Sequence, residues 1–554
     1  MKKDLNILIS EINSLLKEKK FEKLINEINS NFNENDKPPV ILNILGAAKI
    51  FKHDSTKNDK ISGANDFKLA FIKDNSFLEA LINYIRISIQ LENTSEALSL
   101  AKQYQAKFGY QKDVYRGIAR INFSIGNVKE SVSFMEDVLE KNDGTSLNWT
   151  QYLTRLNYDY FYSQKDYLYK CKKFSATLED FGQYEFSKSD YKKNKKVKLG
   201  FLSADFRTHP VSSLILGILE LINQDKFETF GFSNTIDSQY DDETKKYKKI
   251  FNNWLDISKL KDVDALNSIR NNKIDILIHL GGLFDRNRLA LIKNRIATVQ
   301  VSWMNINTTG VKNMDYLIAD KNLIKFNEES MYSEKIIYMP SIWNIHSGFE
   351  KKNIIKLSNK TDLNKTITFG SFNNFDKISD KVILVWSKIL NKIKKSKLIL
   401  RSSNQVNKDY IMSKFIKYNV QNKIEIYDKI YNQDEHLNSY KNIDLALDTF
   451  PTPGIVTTFE ALWMGVPVIT MEGFNLCSRA GESIMKNINM EELICKNEDE
   501  YVNKIVDLIN NKEKLKEIRN KILKEVRESK LFDKKKFTNQ FEVMLINTLD
   551  NHQN

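Results

Sequence analysis

The chain has 554 residues, 41% of them hydrophobic and 28% charged. That length implies several domains, and that balance excludes both a wholly disordered chain and a membrane bundle. The net charge of +13 invites a nucleic-acid partner, but Lys and Arg are interleaved with Asp and Glu, and the one dense cluster, Tyr191-Lys-Lys-Asn-Lys-Lys-Val-Lys198, falls where a linker belongs. Solvated surface accounts for the charge, and no nucleic-acid partner is expected.

No run reaches the roughly 18 apolar residues of a spanning helix, so no stable membrane insertion is expected. At the N-terminus, Lys2 and Lys3 precede apolar residues that Asp4, Asn6 and Glu11 interrupt. Without a small-residue cleavage site this reads as an amphipathic helix rather than a signal peptide. Three cysteines, Cys171, Cys477 and Cys495, stand far apart. Their number and spacing argue against a disulfide framework or a zinc site and fit a reducing cytoplasm, the expected location.

Residues 1–155 carry helical periodicity and few strand signals. A spacing of 34 relates Asn93 to Asn127, Glu96 to Glu130, Ala97 to Ser131, Tyr84 to Ile118, Ile87 to Ile121 and Gly46 to Ala80. This period, with small residues where paired helices must approach, predicts tetratricopeptide-type hairpins, each burying its apolar face against the next. Such arrays bind protein segments or brace a neighbouring domain. Residues 156–196 read as a connector with one helix near 164–178.

From residue 197 short apolar runs alternate with helix-length segments. Strands are expected at 198–203, 227–233, 274–279, 299–303 and 316–319, forming a parallel sheet with helices on both faces over 197–350. Ligands of such sheets bind at the carboxyl ends of the strands, which places Asp205, Arg207, His209 and Gly282 for chemistry. The pattern restarts over 351–530, with strands at 366–370, 398–401, 424–427, 445–448 and 466–470, and Ser379 as the cap of a helix over 380–390. A C-terminal helix or tail follows over 531–554. The fold class is thus two tandem doubly wound Rossmann-like domains behind an all-α repeat domain, a pairing suited to an enzyme that holds two substrates between domains.

Few segments can carry chemistry. In Asp205-Phe-Arg-Thr-His-Pro-Val-Ser-Ser213, His209 precedes a helix, where it either takes a proton near neutral pH or merely caps the helix. In Phe372-Asn-Asn-Phe-Asp-Lys377, Lys377 either meets a phosphate, helped by Asn374, or faces solvent. The third is Asp448-Thr-Phe-Pro-Thr-Pro-Gly-Ile-Val-Thr-Thr-Phe-Glu460. There a strand ends, a Pro/Gly loop follows, and Thr457-Thr458 open a helix whose N–H groups suit a pyrophosphate. Glu460, taken to lie in the first turn, could accept from ribose hydroxyls or simply favour the helix dipole. His436 could stack on a nucleobase or stay a surface residue. The pair Asp262-Val-Asp264 precedes a polar helix start and reads as capping rather than metal binding. No Walker loop or G-x-G-x-x-G is present.

Residues 197–525 resemble the O-linked N-acetylglucosamine transferase family, including its bacterial and SPINDLY-like members. The resemblance rests on the order and spacing of Leu202-Ser-Ala-Asp-Phe-Arg-Thr-His-Pro210, Ile274-Asp-Ile-Leu277, Asn287-Arg-Leu289, Val299-Gln-Val-Ser-Trp303, Met314-Asp-Tyr316, Phe369-Gly-Ser-Phe-Asn-Asn374 with Lys377, Leu445-Ala-Leu-Asp-Thr-Phe-Pro451, Thr457-Thr458 with Glu460-Ala-Leu-Trp-Met-Gly-Val-Pro467, and Ser478-Arg479. The family also places tetratricopeptide repeats in front of its catalytic region.

The resemblance implies a glycosyltransferase fold of the B type. It implies inverting, metal-independent transfer from a nucleotide sugar, with UDP-N-acetylglucosamine as leading donor, to a protein side chain, with no cofactor beyond that co-substrate. A protein or peptide acceptor would be engaged in part by the repeats. His209 falls on the histidine proposed to contact the acceptor and assist proton removal. Lys377 falls on the lysine that neutralises the leaving diphosphate, and Asn374 on an amide beside it. His436 falls on the nucleobase-stacking histidine, Thr457, with Thr458, on the phosphate-binding helix start, and Glu460 on the ribose contact. Pro453, Ile455, Val456 and the segment 304–309 depart from the usual pattern and are expected around the sugar and acceptor pockets. A degenerate transferase acting as a scaffold, or transfer to a glycan or lipid, stays open.

Overall fold

A computed structural model describes residues 5–91, 93–141, 144–158, 162–182, 195–284, 286–349 and 366–553. Residues 191–194 of the basic cluster and the expected domain boundary at 350/351 lie outside the described residues. The chain divides into two compact units, Met1–Asp143 with Ser403–Ile411 and Gly144–Ser402 with Met412–Asn554.

The first unit is helical. Its central helices are Pro39–Phe51, Lys57–Lys73, Leu78–Gln90, Ser95–Phe108, Lys112–Ser124 and Val128–Glu140. The residues related by the 34-residue spacing play equivalent parts. Tyr84, Ile87, Ile118 and Ile121 all lie in one buried cluster with Ala80, Ala97 and Ala101. The ion pair Lys68–Glu96 (3.1 Å) recurs 34 positions later as Lys102–Glu130 (2.6 Å). Close helix contact explains the small residues, since a Cβ on Gly46 would stand 2.7 Å from the Gly63 carbonyl oxygen. Each apolar face is covered by the next hairpin.

The second unit holds two all-parallel sheets. The first comprises β1 (Val197–Ser203), β2 (Phe227–Ser233), β3 (Asn253–Asp256), β4 (Ile276–Leu280), β5 (Val299–Trp303), β6 (Tyr316–Ala319) and β7 (Lys335–Tyr338), in the order β3-β2-β1-β4-β5-β6-β7. The second comprises β8 (Ile367–Ser371), β9 (Ser396–Arg401), β10 (Ile424–Tyr427), β11 (Leu445–Leu447), β12 (Val468–Met471) and β13 (Ile494–Cys495), in the order β10-β9-β8-β11-β12-β13. The central strands are buried on both faces, which is why they read as continuous apolar runs. Strands β3, β7 and β13 were not expected. They are edge strands of two to four residues, and β3 and β7 are only partly covered. Each sheet reverses its winding beside its first strand, between β1 and β4 and between β8 and β11. In sheets of this kind such switch points are where ligands bind, at the carboxyl ends of the strands.

Two segments outside the sheets pack on this unit. Helix Ser146–Leu156 donates the Thr154 hydroxyl to the Leu283 carbonyl (3.3 Å). Helix Lys534–Gln553 stacks Phe541 on Trp303, with ring centroids 4.7 Å apart, and its Glu542 accepts the Asn223 N–H (2.7 Å). The C-terminal helix therefore returns to the first sheet.

Buried polar contacts join the two sheets' domains. The Arg479 guanidinium, 3% exposed, donates to both Glu328 oxygens (2.5 and 2.9 Å) and to the Leu323 carbonyl (3.1 Å). The Ser483 hydroxyl donates to Asp320 (2.6 Å), and the Leu476 N–H donates to the Tyr332 hydroxyl (3.2 Å). Removing one member of a buried ion pair strands the other, so Arg479→Ala is expected to destabilise the chain by ~3–5 kcal/mol. A fall in the urea midpoint at constant slope checks this; an unmoved midpoint contradicts it.

Part of the segment 304–309 is held deep in the fold by side-chain hydrogen bonds. Asn307, Thr308 and Thr309 are fully buried. Asn307 bonds the side chains of Asn157 (2.9 Å) and Gln164 (2.7 Å), and Thr308 and Thr309 bond Glu334 (2.6 and 2.5 Å). Its side chains join the connector to the first sheet. The Asp262-Val-Asp264 expectation changes. Lys261 is the N-cap residue, and Asp262 lies inside the helix and pairs with Arg288 (2.9 Å).

Candidate functional site

The second sheet's switch point gathers most of the expected residues. The loop leaving β8 carries Asn373, Asn374 and Lys377, and the loop leaving β11 carries Pro451 to Gly454. Lys377 spans them, its ammonium donating to the Pro453 carbonyl at 2.8 Å. An ammonium has three N–H groups, so this bond leaves donors for a ligand.

Beside Pro453 begins helix Val456–Trp463. Its N-cap position is Ile455, which offers no side-chain cap. Ser, Thr, Asp or Asn normally fills that place and takes one of the free N–H groups. Here no cap side chain takes them, and the helix dipole adds positive potential. The departures Ile455 and Val456 thus sit at the helix start itself. Thr457 and Thr458 turn inward: the Thr457 hydroxyl donates to Asn373 Oδ1 (2.8 Å) and that of Thr458 to the Gly454 carbonyl (3.0 Å). Both hydroxyls shape the loop, and the backbone N–H groups at the helix start are left without a side-chain cap.

Glu460 is the fifth residue of this helix, beyond the first turn where it was expected. Its Oε2 meets His436 Nε2 (3.0 Å) and the Tyr440 hydroxyl (3.0 Å). Phe372 closes the group, with its ring centroid 4.7 Å from Tyr440 and 5.7 Å from His436. The Arg401 guanidinium lies 4.8 Å over the Phe372 ring. A carboxylate that holds an imidazole among aromatic faces fixes a flat surface for stacking. Burial and the Glu460 charge push the Tyr440 hydroxyl well above its usual range, so it stays a donor.

Asn374 is exposed, whereas its neighbour Asn373 is buried and bonds both Thr457 and Asp448. Asp448, at the end of β11, accepts from Gly454 N–H (2.7 Å), Thr449 N–H (2.9 Å), Asn373 (3.2 Å) and Thr470 (2.8 Å). Burial pushes its carboxyl up to about 6, against the opposing pull of these donors and of Lys377. Asn373, Asp448 and Tyr440 had no expected role. The signals available for Asp448 were its strand-end position and its place in the segment Leu445-Ala-Leu-Asp-Thr-Phe-Pro451.

His209 belongs to the first sheet's switch point, in the loop leaving β1. It caps helix Pro210–Leu219, with Nδ1 accepting the Val211 N–H at 3.3 Å. Asp205 Oδ2 lies 3.7 Å from Nδ1, and Asp205 in turn holds Arg207 (3.1 Å). Burial lowers the imidazole's pKa, partly offset by Asp205 and reinforced by Arg207. With Nδ1 accepting, the neutral ring carries its proton on Nε2. Gly282 is a packing position, because a Cβ there would overlap the Asn305 side chain at 1.9 Å. Among the described residues, no group of three or more His, Cys, Asp or Glu could hold a metal ion.

Among relatives, the probable UDP-N-acetylglucosamine–peptide N-acetylglucosaminyltransferase SPINDLY of Solanum lycopersicum is 30% identical over 358 residues, which are 63% of this chain and 38% of that protein. The protein of Arabidopsis thaliana with the same description, named SEC, is 26% identical over 350 residues, 61% of this chain and 35% of that one. The chain thus matches well under half the length of these curated relatives. A mutant O-GlcNAc transferase of Thermobaculum terrenum superposes with a TM-score of 0.80 at 23% identity, covering 89% of this chain and 95% of that one. The fold is shared: helical repeats ahead of two facing Rossmann-like domains, the glycosyltransferase B type. Residues 171–365 and 347–541 match the model of glycosyl transferase family 41, and the chain belongs to that family.

Proposed function

We propose that the chain is a glycosyltransferase that moves a sugar, N-acetylglucosamine first among the choices, from a UDP-linked donor to a protein side chain, with inversion and without a metal. The observation that carries this is Lys377, whose ammonium bridges the two loops of the second switch point beside an uncapped helix start. That arrangement concentrates positive potential where a diphosphate leaves. The His436, Tyr440 and Glu460 group then receives base and ribose. The names of the relatives supply the donor and peptide classes.

As the bond from sugar to diphosphate breaks, negative charge grows on the leaving phosphate. Lys377 and the helix N–H groups meet it where it forms, the most effective place for an electrostatic contribution. Attack from the opposite face inverts the sugar carbon, and the first sheet, with His209, supplies that face. The helical repeats engage part of the acceptor. Among the described residues, no helix is long and apolar enough to cross a membrane. The three free, buried cysteines support a cytoplasmic location.

Calorimetric titration of the full chain with UDP in the presence of a chelator tests the donor assignment. Binding is expected without divalent metal. A requirement for magnesium overturns the metal-independent mechanism, and absence of binding overturns the donor class.

A further inference from the structure

We infer that Asp448 is a positioning residue for the diphosphate site, holding in register the two loops that Lys377 bridges. The inference rests on the donor reading above, since the loops it holds are those assigned to the diphosphate. Asp448 is 2% exposed and reaches three segments at once. Oδ1 accepts from Gly454 N–H and Thr449 N–H in the β11 exit loop and from Asn373 in the β8 exit loop, and Oδ2 accepts from Thr470 in β12. Asn373 passes the link to Thr457 at the helix start. Pro453, which receives the Lys377 ammonium, adjoins Gly454. Gly454 leaves no slack, because a Cβ there would stand 2.2 Å from the Thr457 hydroxyl and 2.8 Å from Asn373 Oδ1.

A buried carboxylate is costly unless donors surround it. Core packing alone would be served by an apolar residue. The carboxylate is explained by the N–H donors it gathers, which would otherwise be free to turn and carry Pro453 and Thr457 out of place. Its action on the donor is indirect, through Gly454 and Asn373.

The test compares full-length wild type, Asp448→Ala and Asp448→Asn by UDP titration, by turnover at saturating UDP-N-acetylglucosamine and by ligand-free melting. Leaving buried donors unpaired should make Asp448→Ala lose about tenfold or more in both UDP affinity and turnover. Asp448→Asn keeps an acceptor oxygen toward Gly454 and should recover most of that loss. An Ala variant within about twofold of wild type in both readouts overturns the role, as does an Asn variant as impaired as Ala. If Asp448→Ala does not fold, Asn373→Ala takes its place. It cuts the Asn373 links to Asp448 and Thr457 while leaving Asp448 its bonds to Gly454, Thr449 and Thr470, and unchanged UDP affinity there overturns the proposal. Wild type that binds no UDP overturns the donor reading and this proposal together, whereas UDP binding by wild type with an unaffected Ala variant overturns only the positioning role.

Discussion

Lys377→Ala is expected to cost transfer about 10²–10³-fold in turnover, or ~2.7–4 kcal/mol, the usual effect of removing one group that stabilises charge in a transition state. Donor affinity should fall much less. In the proposed complex the ground-state diphosphate already carries its charge, whereas bond breaking adds charge that a fixed ammonium stabilises most in the transition state. Lys377 is also held in place by the Pro453 carbonyl, so little reorganisation is needed when the charge appears. Single-turnover transfer measured beside UDP titration separates the two effects. Unchanged turnover at saturating donor would make Lys377 an ordinary surface lysine.

The second large effect is expected at His209. Proton removal by this imidazole would contribute roughly 10²–10⁴-fold, but Nδ1 is occupied by the Val211 N–H, which puts the proton on Nε2. In this geometry Nε2–H would meet the proposed acceptor as a donor. It becomes a base only if Nδ1–H turns to Asp205, now 3.7 Å away. His209→Asn separates chemistry from capping, because Asn is among the best N-cap residues. This variant should melt close to wild type, bind UDP normally and lose about a hundredfold or more in transfer. A loss confined to acceptor KM marks orientation, and a loss in single-turnover rate marks proton transfer. Because burial lowers its pKa, the ring keeps its neutral form to lower pH than a free histidine does. Protonation further down removes the Nδ1 lone pair and the cap with it, so this histidine's contribution falls as pH falls. A His209→Asn chain that transfers normally, or that loses UDP binding outright, contradicts the placement.

Much of this was legible because the signals are local. Val299–Trp303 alternates Val, Val and Trp with Gln300 and Ser302, the period of two that marks a strand, and ends in a polar turn. The spacing of 34 shows in single residues such as Glu96 and Glu130, whose lysine partners keep the same spacing. Lys377, Thr457, His436 and Glu460 are candidates through motif order, since none stands out alone. What escaped depends on distant partners. Asp448 reads as a strand end, and its importance lies in donors from three segments. Asn373 and Asn374 are adjacent and chemically identical, and only the fold decides which is buried. The short edge strands β3, β7 and β13 lack the length to show a pattern. The return of helix Lys534–Gln553 to Trp303 is a tertiary choice with no local mark.

The most direct test incubates the full chain with UDP-N-acetylglucosamine and unstructured Ser/Thr-rich peptides in chelator, following UDP release and peptide mass together. The expected result is UDP release matched by a mass gain of one N-acetylhexosamine on peptide, with both reduced about a hundredfold or more in Lys377→Ala. Failure to release UDP, or release and transfer that persist unchanged in Lys377→Ala, would contradict the account.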